Sequence, residues 1–354
     1  MIDLLEEIVS LHTRGETAAL ASVVSSKGSL PMSRRSKMLL MPDGTQRGTV
    51  GGGCLEAEVH AMGQSVIRSR TAVVTRFTLT EEHAGAEGLN CGGTVEILIE
   101  PLSRDASGLA SLYRQALDAL KANEETVVAT VVSGSVDGKG LVSWKGLRAG
   151  TGAIGRDAEL TEHVVEESLS ILGQDRAVWR EIPQGLTPRP SRLFLETLSA
   201  PPTLYLFGGG HVSLSVARVA RTAGFRVVVV DDRPAFANPE RFPEAERTLV
   251  LPMADAVARL PIDAGSYIVA VTRGHQHDEP VIEQAIRTPA AYIGMIGSKR
   301  KVALLWKRLK ERGATEEMLA RVHAPIGLAI GADSPGEIAV AIVAQLIEAR
   351  RRAR

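Results

Sequence analysis

Between Pro202 and Asp232 the chain reads PTLYLFGGGHVSLSVARVARTAGFRVVVVDD. Leu204 to Phe207 is an apolar run of strand length, and Gly208, Gly209 and Gly210 follow at once. Val212, Val216, Ala220 and Ala223 then recur at fours and threes, the stripe of a helix with one buried face. Gly224 stands where a left-handed cap would end that helix. A second apolar run, Phe225 to Val230, delivers Asp231 and Asp232. Strand, glycine turn, helix, strand and acid in this order predict the first half of a nucleotide-binding βαβ unit, and with it a Rossmann-like doubly wound parallel sheet.

The chemistry explains the residue types. A turn without side chains lets a pyrophosphate approach the backbone, and the free N–H groups and positive dipole end of the new helix face the anion. Asp231 follows Gly208 by 23 positions, near the roughly 20 expected of a carboxylate that grips a ribose hydroxyl. The third glycine of G-x-G-x-x-G is Ser213 here, still small enough for close helix–strand packing. The candidate ligand contacts in this stretch are Gly208, Gly209, Gly210, His211 and Asp231. Such a pattern defines a fold more firmly than a ligand, because one fold serves many functions.

With 354 residues, two or three domains are expected, each able to bury a core. Basic and acidic residues balance at 41 each, so no bulk field points to nucleic acid or to a membrane surface. The Arg-rich stretch EARRRAR reads as a solvated helix terminus with cations at the negative dipole end. MIDLLEEIVSLHTRG carries acids where a signal peptide would carry bases, and reads as an amphipathic helix. No apolar run approaches the ~18–20 residues of a membrane span. Two cysteines, Cys54 and Cys91, make no disulfide framework, so the expected location is the cytoplasm.

Ahead of the glycine unit, Thr17 to Val24 reads as a buried strand and Lys37 to Met41 as another, with Pro42-Asp43-Gly44 as a tight turn. A second glycine cluster, Gly48-Thr49-Val50-Gly51-Gly52-Gly53, runs directly into Cys54-Leu55-Glu56. Leu55, Val59, Met62 and Val66 then fall at helical spacing, so Gly51, Gly52 and Gly53 are expected at the mouth of a helix, a second place able to hold an anion. Thr71 to Leu79 and Val95 to Ile99 are β-rich, and the irregular stretch between them carries Cys91. Each cysteine beside a glycine loop is a candidate ligand thiol; the alternative is a small buried residue with no chemistry. Helices are expected over Ala106 to Ala122 and Glu159 to Leu172, and strands over Thr126 to Val132, Gly140 to Trp144 and Arg192 to Leu198. Ser199-Ala200-Pro201-Pro202 is the best boundary. It separates a mixed α+β domain over 1–198, open to subdivision near 105, from a Rossmann-like domain over 203–354.

Beyond Asp232, Thr248 to Leu251, Ser266 to Val271 and Tyr292 to Ile296 read as strands, and Ala254 to Leu260 as a helix. The loop Thr272-Arg273-Gly274-His275-Gln276-His277-Asp278 is expected at the carboxyl edge of the sheet, where ligands bind. His275, His277 and Asp278 could ligate a metal there, although such a cluster is more often a hydrogen-bonded loop or a helix cap. Gly297-Ser298-Lys299-Arg300-Lys301 places bases at a helix start, against the dipole unless an anion sits there. Ser298 and Lys299 therefore join the candidate binding residues. Ser334-Pro335-Gly336-Glu337 is a capping box opening the last helix.

These motifs together resemble the XdhC/CoxI family, accessory proteins that mature xanthine and carbon monoxide dehydrogenases and related molybdenum hydroxylases. The resemblance covers nearly the whole chain, with no family motif between about Ala106 and Ser199. It rests on Gly28-Ser29-Leu30-Pro31, Lys37-Met38-Leu39, the GGGCLE segment Gly51 to Glu56, and Cys91-Gly92-Gly93-Thr94-Val95-Glu96. In the second half it rests on Phe207 to Val212, on IGMIGSKR from Ile293 to Arg300, and on Pro325 through Gly331 to Pro335. GGGCLE together with IGMIGSKR is specific, since Rossmann dehydrogenases do not ordinarily carry both. Two positions depart from the family pattern. Met32 replaces an arginine after G-S-x-P, and Arg273 replaces the first histidine of T-H-x-H-x-x-D, while His275 and Asp278 match.

The resemblance implies a chaperone for molybdenum cofactor rather than an enzyme with turnover of its own. Such a protein would bind the cofactor (molybdopterin), shield it while a cysteine desulfurase partner supplies the sulfido ligand, and pass it to the hydroxylase apoenzyme; a homodimer is left open. Gly51 to Cys54 and the Cys91 loop would face the cofactor, and Gly208 to Gly210 would take a nucleotide or the cofactor's phosphate end across a domain cleft. Thiols suit a soft, sulfur-dependent metal centre. Two rivals stand beside this reading. One is an NAD(P)-dependent oxidoreductase, supported by the glycine turn and Asp231 but lacking a hydride-transfer apparatus such as Tyr-x-x-x-Lys. The other is an adaptor that keeps an emptied nucleotide fold for docking.

Overall fold

The computed structural model describes residues 1–28, 36–79, 93–102, 109–133, 141–148, 158–174, 176–273 and 275–352. Contacts divide the chain into two compact units, Met1–Ala200 and Pro201–Arg354.

Two antiparallel sheets make the first unit. Strands β1 (Ala18–Gly28), β2 (Lys37–Leu40), β3 (Gln46–Gly48), β4 (Val73–Leu79) and β5 (Gly93–Leu102) lie in the order β3-β2-β1-β5-β4. Their period-two alternation sorts side chains to two faces. Ala19, Ala21, Met38 and Leu40 meet Leu55, Val59 and Val66 of the helix Gly53–Ser69. Leu20 and Leu39 turn the other way, toward Leu5 and Ile8 of the helix Ile2–Arg14 and Leu112 and Leu120 of the helix Leu109–Lys121. The second sheet holds β6 (Thr126–Ser133), β7 (Leu141–Arg148), β8 (Ala177–Glu181) and β9 (Ser191–Leu198) in the order β7-β6-β9-β8. The helix Ala158–Ile171 covers it through Leu160, Val164 and Ile171.

Six parallel strands make the second unit. β10 (Thr203–Phe207), β11 (Arg226–Asp231), β12 (Arg247–Val250), β13 (Ser266–Ala270), β14 (Tyr292–Met295) and β15 (Val322–His323) lie in the order β12-β11-β10-β13-β14-β15. The central strands are buried on both faces, which is why they read as continuous apolar runs rather than alternating ones. Leu204, Leu206, Val227 and Val229 pack on the helices His211–Thr222 and Pro335–Arg352. Tyr205, Phe207, Val228 and Val230 pack on the helices His275–Ala285 and Lys299–Glu311. The sheet is doubly wound, and its strand order reverses between β10 and β13, where a ligand crevice is expected at the carboxyl ends.

Several elements differ from the sequence expectation. Ala254 to Leu260 forms only the single 3₁₀ turn Val257–Arg259, and Leu260, held extended before Pro261, ends it. The stretch expected as a loop after β13 is helical from His275 onward. The strands β3, β8 and β15 and the short helix Glu316–Ala320 were not anticipated; β8 carries AVWRE, half-exposed on a sheet edge with no apolar run to announce it. Among the described residues, no helix is long and apolar enough to cross a membrane.

Candidate functional site

The glycine turn after β10 is tightly built. Gly208 donates its amide to the Val230 carbonyl at 2.7 Å, and its φ of +106° lies where only glycine is at ease. A Cβ on Gly208 would stand 2.5 Å from the Val271 carbonyl oxygen, and one on Gly209 2.0 Å from that of Phe236. Gly210 differs, for a Cβ there would meet nothing within 4 Å. Gly210 is the N-cap of the helix His211–Thr222, and among the described residues no side chain caps that end. Ser213, in place of the third glycine, is fully buried and donates its hydroxyl to the Gly208 carbonyl. The protein's own packing thus demands the first two glycines. Open space remains at Gly210 and exposed His211, before amides that point outward from the helix.

Asp231 is fully committed within the fold. Its Oδ2 accepts from the Gly209 amide at 2.7 Å and from Arg233 Nη2 at 3.0 Å. Its Oδ1 accepts from Arg233 N at 3.0 Å and Arg233 Nε at 2.8 Å. A carboxylate offers about four acceptor positions, and all are used, so none remains for the ribose contact that the spacing suggests. Burial alone would raise the pKa of Asp231; the hydrogen bonds from Arg233 and from the Gly209 amide override it and hold the group at about 2. Arg241 completes this bracing by donating Nε to the Gly209 carbonyl at 3.0 Å, while its Nη2 is buried with no hydrogen-bond partner among the described residues. The Phe236 ring meets two guanidinium groups, that of Arg233 at 3.6 Å from its centre and that of Arg241 at 5.0 Å.

Asp232 is the acid left partly exposed beside the crevice. Its Oδ2 accepts from Arg273 Nη2 at 2.9 Å, an ion pair joining the ends of β11 and β13 across β10. Arg273 Nε also donates to His277 Nε2 at 3.1 Å. Arginine can only donate, so the His277 ring proton sits on Nδ1. Asp278 is fully buried and accepts from the Thr272 hydroxyl at 2.6 Å and from Lys301 Nζ. Of the residues considered for a metal, His277 and Asp278 therefore already have protein partners, and the side chain of His275 lies outside the described residues. Among the described residues no three His, Cys, Asp or Glu side chains converge as a metal site would require. At the head of the helix Lys299–Glu311, the Ser298 hydroxyl caps the amide of Lys301 at 3.3 Å. Lys301 is neutralised by Asp278, and Lys299 and Arg300 are exposed.

In the first unit, Gly51, Gly52 and Gly53 all have positive φ, at +134°, +77° and +61°, and Gly52 is the N-cap of the helix Gly53–Ser69. The Thr49 hydroxyl accepts from the Gly51 amide at 3.1 Å, and Glu56 takes Gln46 Nε2 at 2.9 Å and the Thr49 hydroxyl at 3.3 Å. Cys54 sits in the first turn of that helix, a free thiol and exposed. Close packing therefore does not explain this cysteine. Cys91 falls outside the described residues.

Sequence reasoning missed the basic and aromatic bracket of Arg233, Phe236 and Arg241. Its signal was present in the run DDRPAFANPERF directly after β11, where two arginines flank a phenylalanine just past an acidic pair.

A doubly wound domain with a braced glycine turn, preceded by an α+β unit that presents a thiol at a second glycine turn, defines a class of two-part Rossmann proteins. The profile of the XdhC Rossmann domain matches residues 204–346, and that of the XdhC and CoxI family matches residues 11–78. The chain belongs to the XdhC/CoxI family. It is 24% identical over 353 residues to the uncharacterized protein YqeB of Escherichia coli K12, covering 99% of this chain but 47% of YqeB, so it spans about half the length of that relative. It is 24% identical over 344 residues to a probable xanthine dehydrogenase subunit of Bacillus subtilis 168, covering 95% of this chain and 94% of that protein. A crystal structure from Bacillus halodurans described as a xanthine dehydrogenase superposes with a TM-score of 0.79 at 25% identity, covering 100% of this chain and 96% of the other.

Proposed function

We propose that this chain is an accessory protein of a molybdenum hydroxylase, and that it holds molybdenum cofactor for sulfuration and delivery. Family membership supports the coarse part, an accessory role toward a xanthine dehydrogenase. The observation that carries the finer part is Cys54, an exposed thiol in the first turn of a helix opened by three left-handed glycines.

The residues present fit a phosphorylated guest with a soft metal. Gly210 leaves room for a phosphate at a helix end that no described side chain caps. A free thiolate is a ligand type that such a metal accepts. When bound, the cofactor supplies the molybdenum and sulfur chemistry that the hydroxylase uses. The work of this chain is to bind and orient. In the second unit, outward amides at Gly210 and His211 would hold phosphate oxygens, and the arginine-braced turn would keep those amides in place; in the first unit, Cys54 would offer a thiol ligand at its own glycine turn. A cysteine desulfurase is the expected sulfur source and the apoenzyme the recipient. The carboxylate whose spacing favoured an NAD(P)-dependent oxidoreductase, Asp231, has no acceptor position left for a ribose.

The test is purification without oxygen, followed by pterin fluorescence and molybdenum analysis of the wild type and of Cys54→Ala. Pterin and metal should accompany the wild type and be depleted in the variant, whose stability should stay within about 1–2 kcal/mol. Equal retention by the variant removes Cys54 from the site. Bound NAD(P) with turnover, and no pterin, overturns the proposal.

A further inference from the structure

The helix Lys299–Glu311 reads KRKVALLWKRLKE, and the fold sets its faces to different tasks. Val302, Leu305 and Leu309 bury in the core of the parallel sheet. The cations flanking that face are spent within the second unit: Lys301 on Asp278, Arg308 on Glu279 at 3.0 Å, and Arg312 on Glu279 and Glu283 at 2.8 Å each. On the opposite side Arg300, Leu304 and Lys307 recur at i, i+4 and i+7, one stripe along the crest of the helix. All three are exposed, and Leu304 leaves 50% of its surface open. Lys299, Arg300 and Lys307 have no ion-pair or hydrogen-bond partner among the described residues. The first turn also holds no acid, so the positive end of the helix dipole adds to their charge.

Leu304 also lines a groove of about 230 Å³, together with Leu305, Arg300 and Arg308 of the same helix and Asp278 and Glu279 of the helix His275–Ala285. Both of those acids are neutralised by the ion pairs just described. The volume is below the ~300–1,000 Å³ of small-molecule sites, and suits one anchoring side chain better than a whole ligand. An apolar centre within a charged rim is the build of a protein–protein interface. Nucleic acid would be held through its phosphates by cations alone, and a leucine at the centre of the stripe serves it poorly. A membrane surface would take the apolar face of such a helix, and here that face is buried on the sheet. Basic and acidic residues balance at 41 each over the chain, so the unpaired cations are a local feature of this helix.

We infer that the crest of this helix is a docking surface for an acidic segment of a partner protein. The segment sets one apolar side chain into the groove beside Leu304 and lays its carboxylates over Lys299, Arg300 and Lys307. Charge complementarity steers the encounter and fixes its register, and the buried anchor supplies most of the affinity. The inference goes beyond the cofactor reading and does not rest on it, since it draws on no residue of either glycine turn.

Fluorescence anisotropy of the full chain with two labelled heptapeptides tests it. One peptide carries a leucine between three acids on either side, and its twin carries glycine in place of the leucine. The leucine peptide should bind at least about fivefold more tightly than the twin. Leu304→Ser should erase that advantage and leave the twin unchanged. Lys307→Glu should weaken both peptides at least about tenfold, whereas Arg351→Glu, the same charge change at an exposed position of another helix, should leave both as they were. All three substitutions fall at exposed positions, so the fold is retained. Equal affinity for the two peptides, equal losses from Lys307→Glu and Arg351→Glu, or no binding of either peptide overturns the inference. Tighter binding of a single-stranded oligonucleotide or of anionic vesicles than of the leucine peptide overturns it in favour of those partners.

Discussion

Asp231 shows how a residue can satisfy a motif and serve a different end. Spacing marked it as a ribose acid, and the backbone does deliver it at the end of β11, but its carboxylate is spent on Gly209 and Arg233. Spacing reports where an acid falls along a chain; only the partners around it decide what its lone pairs do. Asp231→Asn should therefore cost stability at neutral pH, about 1–3 kcal/mol for a buried acceptor replaced in part by a donor, read from urea unfolding. The pH dependence has a definite sign. A carboxyl held at about 2 in the fold, against roughly 3.9 in an unfolded chain, stabilises fully above pH ~4, and that contribution fades as pH falls toward 2. The stability gap between wild type and Asp231→Asn should accordingly narrow between pH 4 and 2. A gap that widened in that window would rule out this account.

Among the elements, the central parallel strands were legible because burial on both faces leaves uninterrupted apolar runs, as in Leu204–Phe207 and Val227–Val230. The helix after Gly51–Gly53 was legible from Leu55, Val59 and Val66, which bury on the first sheet. β8 was not, because an edge strand half open to water needs no apolar pattern. The two glycine turns were legible as helix starts, and the bracing of the second was not, since Arg233, Phe236 and Arg241 act through contacts made by a loop without periodicity. The turn offers a contrast testable by thermal unfolding. Gly209→Ala would drive a Cβ into the Phe236 carbonyl and should cost roughly 1–3 kcal/mol, the range for overpacking. Gly210→Ala enters open space at φ −72° and should stay within about 1 kcal/mol, the ordinary scale of an N-cap change. Equal losses at both positions would mean that the Phe236 loop does not press on the turn.

Across the whole chain, the apolar clusters respect the division at Ala200. Among the described residues, those of the parallel sheet draw on residues from Leu204 onward, and those of the antiparallel sheets on residues up to Leu198. A fragment of residues 201–354 should then fold by itself with a single cooperative transition, since a core of its own is what a domain requires. Far-UV circular dichroism with urea would check it, and a non-cooperative, baseline-free melt would count against an autonomous second unit. The crowding at Gly208 and Gly209 has a further consequence for descent. A lineage that lost its ligand would still be selected to keep those two glycines, because the neighbouring carbonyls tolerate nothing larger. Drift at position 210 alone would betray the lost cargo.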